Sequence, residues 1–170
     1  MTNEVKEDVQ GEVKEESELT EEEMRESVVR LAFGGDPKRL EEFCETVRQG
    51  IPEGTSVVLR GSAVTGKRWK DGSPFDADGP GTSDLDLTLV GEQALGCYIL
   101  DGFYIPGVHT KPLSEKDPDI APELVPLREK LVAMVKRPVN IQATRELVMQ
   151  LRGELMGQPY LTLIEKPSDE

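Results

Sequence analysis

Apolar residues recur along this chain at two different spacings. Met24, Val28, Leu31 and Ala32 fall on one face of a 3.6-residue repeat, and Thr20 with Glu23 three positions on spells a capping box. The spacing predicts a first helix over Thr20 to Phe33, closed by Gly34 and Gly35. Asp36 followed by Pro37 reads as an N-cap and first helical position, and Leu40, Phe43, Cys44 and Val47 supply a second helical stripe that Gly50 and Pro52 end. The β-branched run Thr55 to Arg60, between Gly54 and Gly61, is expected to be a central strand, and Leu85 to Val90 a second strand followed by a helical turn at Glu92 to Gly96. Helical spacing resumes from Ala121 to Arg137 through Leu124, Leu127, Leu131, Met134 and Val135. In Pro138 to Ala143 the period is two, with Val139, Ile141 and Ala143 on one face and Asn140 and Gln142 on the other. Leu147, Val148, Leu151 and Leu155 predict a helix over Thr144 to Met156, and Tyr160 to Ile164 a terminal strand.

Two stretches interrupt this pattern. Residues 66–82, GKRWKDGSPFDADGPGT, are dense in Gly, Pro and Asp and read as a loop or small hairpin excursion. Loops of that length inside a compact domain are uncommon unless functional or disordered. Residues 98–122 are irregular again, with a short strand expected around Phe103 to Ile105. The order helix, helix, strand, strand, helix, strand, helix, strand describes one α/β (α+β) domain over residues 19–166, a mixed sheet flanked by helices. Residues 1–18 carry no apolar face and are expected to form an acidic, disordered tail.

Charge narrows the class of partner. The 170 residues hold 33 acidic and 20 basic side chains, a formal net charge of −13, but eleven acids and three bases fall in residues 1–26, so the remainder carries only −5. No basic stripe of the kind that tracks phosphate backbones is present, which argues against extended duplex nucleic acid and leaves room for a small anion held locally. Cys44 and Cys97 have no metal-ligand spacing and are too few for a disulfide framework. No segment approaches the roughly 18 apolar residues of a membrane span, and the first residues lack the basic start and apolar run of a signal peptide. A soluble, cytoplasmic protein is expected.

The chemistry concentrates in SDLDLTLV, Ser83 to Val90. Asp84 and Asp86 are two residues apart in a strand and so point to the same face, where like charges perturb one another unless a cation lies between them. An isolated pair of this kind is more often the solvated end of a strand. The preceding strand closes with Arg60-Gly61-Ser62, where Gly61 lets backbone amides approach a phosphate and Ser62 adds a hydroxyl donor. Residues 61–67 also spell G-x-x-x-x-G-K, but Arg68 stands where a P-loop needs Ser or Thr for magnesium, and the residues after it are poor helix formers. Together the Gly-Ser turn and the aspartate pair are equipment for phosphoryl or nucleotidyl transfer.

Strand, Gly-Ser, then Ser-Asp-Leu-Asp-Leu on the next strand resembles the nucleotidyltransferase superfamily of DNA polymerase beta, in particular its minimal members. The likeness covers about Val57 to Val90 closely and the later elements loosely. It implies a nucleotidyltransferase-like mixed sheet, with Gly61 and Ser62 in the triphosphate-binding turn and Asp84 and Asp86 as the catalytic, metal-binding pair. It further implies Mg2+ or Mn2+ as cofactor, a nucleoside triphosphate as substrate, and transfer of a nucleoside monophosphate to an acceptor hydroxyl on a small molecule, a protein or an RNA end. Lys67 and Arg68, just after the turn, are candidates to neutralise the triphosphate, as is Lys70; a solvated basic loop is the plain alternative.

Two features depart from the family. Ser62 and Asp84 are further apart than in the small members, making residues 66–82 an insertion near the entrance of the site. The third carboxylate of the family belongs on a later strand, where VNIQA offers Asn140 and Gln142. An amide can coordinate a metal through oxygen but cannot act as a general base. Either another acid substitutes, such as Asp101 or Glu165, or the fold serves as a catalytically weak or inactive nucleotide-binding or interaction module. Asp76 and Asp78 are expected to serve turn chemistry, Trp69 to anchor packing, and His109 to be structural or exposed.

Overall fold

The computed structural model describes residues 19–68, 70–146, 148–149 and 157–166. Helix α1 (Glu21–Ala32) starts at the expected capping box: Thr20 accepts from the Glu23 amide, and the Glu23 side chain accepts from the Thr20 amide. Helix α2 (Pro37–Gly50) is capped by Asp36, whose carboxylate accepts from the Lys38 amide. Then come β1 (Ser56–Arg60), the single turn α3 (Ser62–Thr65), β2 (Leu85–Val90), the turn α4 (Glu92–Leu95), β3 (Phe103–Ile105), β4 (His109–Thr110), α5 (Val125–Val135), β5 (Val139–Thr144) and β6 (Leu161–Ile164). Short 3-10 turns precede β3 and α5. The expected terminal acidic tail lies outside the described residues, as do Trp69 and most of the helix expected over Thr144 to Met156. Thr144 itself ends β5 instead of starting that helix, because its backbone continues the ladder opposite Val90.

The sheet is mixed, with strand order β3-β4-β5-β2-β1-β6. β1 runs antiparallel to β2 and β6, and β2 runs parallel to β5. β1 is therefore interior, as its β-branched run implies. Register sorts the two faces across the central strands, with Val58 an apolar residue on the otherwise polar side. Leu59, Leu87 and Ile141 form one cross-strand row and Val57, Leu89 and Ala143 the next. These side chains are 0 to 1 % exposed and pack with Val28 of α1, Phe43 and Val47 of α2, and Leu131 of α5. The alternate rows hold Arg60, Asp86 and Asn140, then Val58, Thr88 and Gln142. One face of the sheet is thus a helix-covered core and the other carries the polar side chains, the consequence of a period-two pattern on three adjacent strands.

The excursion over residues 66–82 is a small hairpin. Lys67 and Pro74 pair as an isolated bridge, and Phe75 donates its amide to Gly66. It is anchored by Asp76, whose carboxylate accepts from the Ser83 and Gly81 amides and forms a two-pronged pair with Arg137 at 2.8 and 3.2 Å. Arg137 also donates to the Ser83 carbonyl at 2.9 Å and lies 4.5 Å over the Phe75 ring. Asp76 does serve its turn, at φ 59°, but it also ties the loop to the end of α5 directly beside Asp84. Its carboxyl is held down at about 2, chiefly by the Arg137 hydrogen bonds.

Arg137 is only 8 % exposed, so removing its partner strands a buried guanidinium. Asp76→Ala is expected to destabilise the protein by about 3 kcal/mol, read as a lowered urea midpoint at pH 7. The folded carboxyl titrates below its unfolded counterpart, so its contribution is present above pH ~4 and disappears as pH falls towards 2. The gap between wild type and variant should therefore close with acidification.

Candidate active site

Asp84 immediately precedes β2 and Asp86 is its second residue, which puts both carboxylates on the polar face. Asn140 lies opposite Asp86 on β5. Its amide nitrogen donates to Asp84 Oδ2 at 2.7 Å and to Asp86 Oδ1 at 3.1 Å. A single neutral side chain therefore occupies the point on which both carboxylates converge. On the other side of β2, Arg60 lies opposite Asp86 in the antiparallel ladder. Burial is the first cause that pushes the Asp86 carboxyl up, to about 6; the charge of Asp84 adds to it, while the Asn140 hydrogen bond and the positive charge of Arg60 oppose it.

Gly61 closes the other wall. It sits at φ 98°, and a Cβ there would come within 2.9 Å of Asp86 Oδ2. Only glycine allows both the backbone conformation and the approach of the turn to the carboxylate. Ser62 opens α3, which is pinned to α1 by the Ser27 hydroxyl donating to the Ala63 carbonyl at 2.8 Å. Gly61 and the aspartate pair, read together from sequence, are thus adjacent, whereas Ser62 is buried and lines neither of the two cavities beside the carboxylates.

Each carboxylate lies on the wall of a cavity. One of about 170 Å³ is lined by Arg60, Gly61, Thr65, Asp86, Gln158 and Pro159. The other, about 420 Å³, has Asp84 and Asn140 on its wall with Thr82, Tyr104, Ser114 and Lys116. Lys67 and Arg68 are not among the residues lining either cavity. Lys67 is exposed, and Arg68 pairs with Asp78 at 2.7 Å, an interaction that raises its already high pKa. The basic side chain that does reach the Asp86 cavity is Arg60, which closes the strand run TSVVLR and whose cross-strand register with Asp86 is not visible in one dimension.

No third acid joins the pair: among the described residues no three His, Cys, Asp or Glu side chains cluster as metal ligands. Asp101 is exposed in the 3-10 turn before β3, and Glu165 is exposed after β6, on the far side of β1 from β2. The expectation that one of them substitutes is corrected accordingly. His109 is buried in β4 and not in a loop. Asp84 and Asp86 nonetheless turn carboxylate oxygens, the donor chemistry of a hard divalent cation, to one point, where Asn140 presents its amide nitrogen; two carboxylates are too few protein ligands to fill such a coordination unaided. Searches against protein-family models, curated proteins and solved structures find no match to this chain. Among the described residues no helix is long and apolar enough to cross a membrane.

The raised Asp86 carboxyl gives a signed prediction. Its folded pKa of about 6 lies above the unfolded value near 3.8, so the ionised form costs stability at neutral pH and the cost fades as pH falls through 6. In metal-free buffer Asp86→Asn is expected to melt above wild type at pH 7.5, with the gap narrowing below pH ~6 and closing only below pH ~4. Added Mg2+ should raise the melting point of wild type at pH 7.5 and leave that of the variant unchanged.

Proposed function

We propose that this chain is a metal-dependent nucleotidyltransferase that moves a nucleoside monophosphate from a nucleoside triphosphate to an acceptor hydroxyl. The observation that carries this reading is the contact between Gly61 and Asp86, which joins a phosphate-binding turn to a carboxylate pair with no side chain between them. Asp84 and Asp86, with the Asn140 side-chain oxygen once its amide is turned, would hold Mg2+ or Mn2+. The ion would supply charge neutralisation for the phosphates and for the departing pyrophosphate.

The small cavity by Gly61 suits phosphates, with Arg60 as their positive counterpart. The larger one by Asp84 suits the acceptor. In the reaction the acceptor oxygen forms a bond to the α-phosphorus, the bond from that phosphorus to the bridging oxygen breaks, and pyrophosphate leaves with the electron pair. Asn140 cannot take the proton released. Of the carboxylates on the acceptor cavity, Asp84, Glu115 and Asp117, the one beside Asp86 is Asp84, and we assign the proton to it. The lack of a basic stripe in the sequence disfavours a long nucleic-acid acceptor.

A second reading is a nucleotide-binding or interaction module without turnover, favoured by Asn140 where the family places its third carboxylate. One assay separates the two. Incubated with labelled nucleoside triphosphates, Mg2+ or Mn2+ and a panel of hydroxyl acceptors, the wild type is expected to release pyrophosphate, and the Asp84→Asn/Asp86→Asn double variant to lose that release at least 100-fold. Triphosphate binding without pyrophosphate release across the panel would establish the module. Absence of metal-dependent triphosphate binding would end the enzyme reading and the nucleotide-binding form of the module. Gly61→Ala is expected to weaken triphosphate binding at least tenfold by calorimetry, because its Cβ displaces the Asp86 carboxylate.

A further inference from the structure

The buried polar network behind Arg60 has a direction that the hydrogen bonds fix. Gln142 accepts at Oε1 from the Arg60 guanidinium at 3.1 Å, and its Nε2 donates to the Thr110 carbonyl at 2.7 Å. Turning the amide over would set its hydrogens against the guanidinium and its oxygen against a carbonyl, so only one orientation is allowed. The second Nε2 hydrogen then faces His109 Nε2 at 3.2 Å, and that ring nitrogen must be the unprotonated acceptor. The ring proton sits on Nδ1, 3.0 Å from the Thr144 hydroxyl. Gln142 is 6 % and His109 8 % exposed, so water does not compete for these positions.

We infer that Gln142 is a positioning residue for Arg60: oriented by Thr110 and by neutral His109, it holds the guanidinium at the wall of the cavity that Arg60 shares with Gly61 and Asp86. Arg60 is steadied a second time by its Nε donating to the Thr88 hydroxyl at 3.3 Å. The inference rests on the nucleotide-binding reading for its consequence but not for its geometry. Around His109 stand Tyr104, stacked on its ring at 6.1 Å, Thr144 and Gln142. Charged groups in the vicinity are Lys111, two residues on in the chain, Arg145, next to Thr144 and paired with Glu92, and Arg60 beyond Gln142.

His109 is the chain's single histidine, so protein labelled with 15N-histidine gives one imidazole to assign. At pH 7 the wild type is expected to show a neutral ring protonated at Nδ1. Gln142→Glu exchanges the amide donor for a carboxylate and is expected to put a proton on Nε2, a signature that a residue serving only to fill space would not move. Gln142→Leu, which keeps volume and adds no charge, is expected to weaken binding of magnesium and adenosine triphosphate about tenfold by calorimetry. A wild-type ring protonated at Nε2 or doubly protonated overturns the inference, and needs no variant to fold. Wild-type protein that binds the triphosphate while Gln142→Leu matches it overturns the positioning role alone. Wild-type protein that binds no triphosphate overturns the nucleotide reading, and the positioning role with it, while leaving the assigned tautomer standing.

Discussion

Asp84 and Asp86 stand two residues apart at the start of a strand with hydrogen-bonded neighbours on both sides, so their carboxylates repel one another where solvent cannot fully screen them. Three features of the fold answer that single constraint. Asn140, from the parallel neighbour, donates to both carboxylates through one nitrogen. Arg60, from the antiparallel neighbour, lends positive charge. Gly61 brings a turn without a side chain to within contact of Asp86. Each of these residues belongs to the same cross-strand row or to the residue after it, so the register of β1, β2 and β5 is what assembles the site.

The parts of the fold legible in one dimension are those written locally. Capping at Thr20 and Asp36, the helical stripes of α1 and α2, and the period-two run VNIQA depend on residues within a few positions of one another, and each element lies where its pattern places it. The two-residue strand β4 carries no period at all; it exists because His109 and Thr110 bond to β3 on one side and β5 on the other. The Asp76–Arg137 pair spans 61 positions, and local spelling gave Asp76 only its turn. The candidate site divides in the same way. Gly61, Ser62, Asp84 and Asp86 announce themselves by residue type and spacing, whereas Arg60 and Gln142 gain their roles from partners 28 and 82 positions distant.

Asn140 is the residue on which function turns. As an amide it calms two carboxylates in the absence of any ion, which an acid in its place would aggravate. It also holds the position from which a proton acceptor would be most useful, and it cannot be one. On the proposed reading the arrangement suits holding a metal–phosphate group, and turnover would fall to an acid on the larger cavity, where Asp84 is joined by Glu115 and Asp117.

That account is tested most directly by a crystal structure of the protein soaked with Mn2+ and a non-hydrolysable nucleoside triphosphate, with anomalous scattering used to place the metal. It predicts an anomalous peak bridging Asp84 and Asp86, the Asn140 nitrogen turned away from them, and phosphate oxygens against Gly61. A map with no ion between the aspartates and Asn140 still donating to both would contradict it.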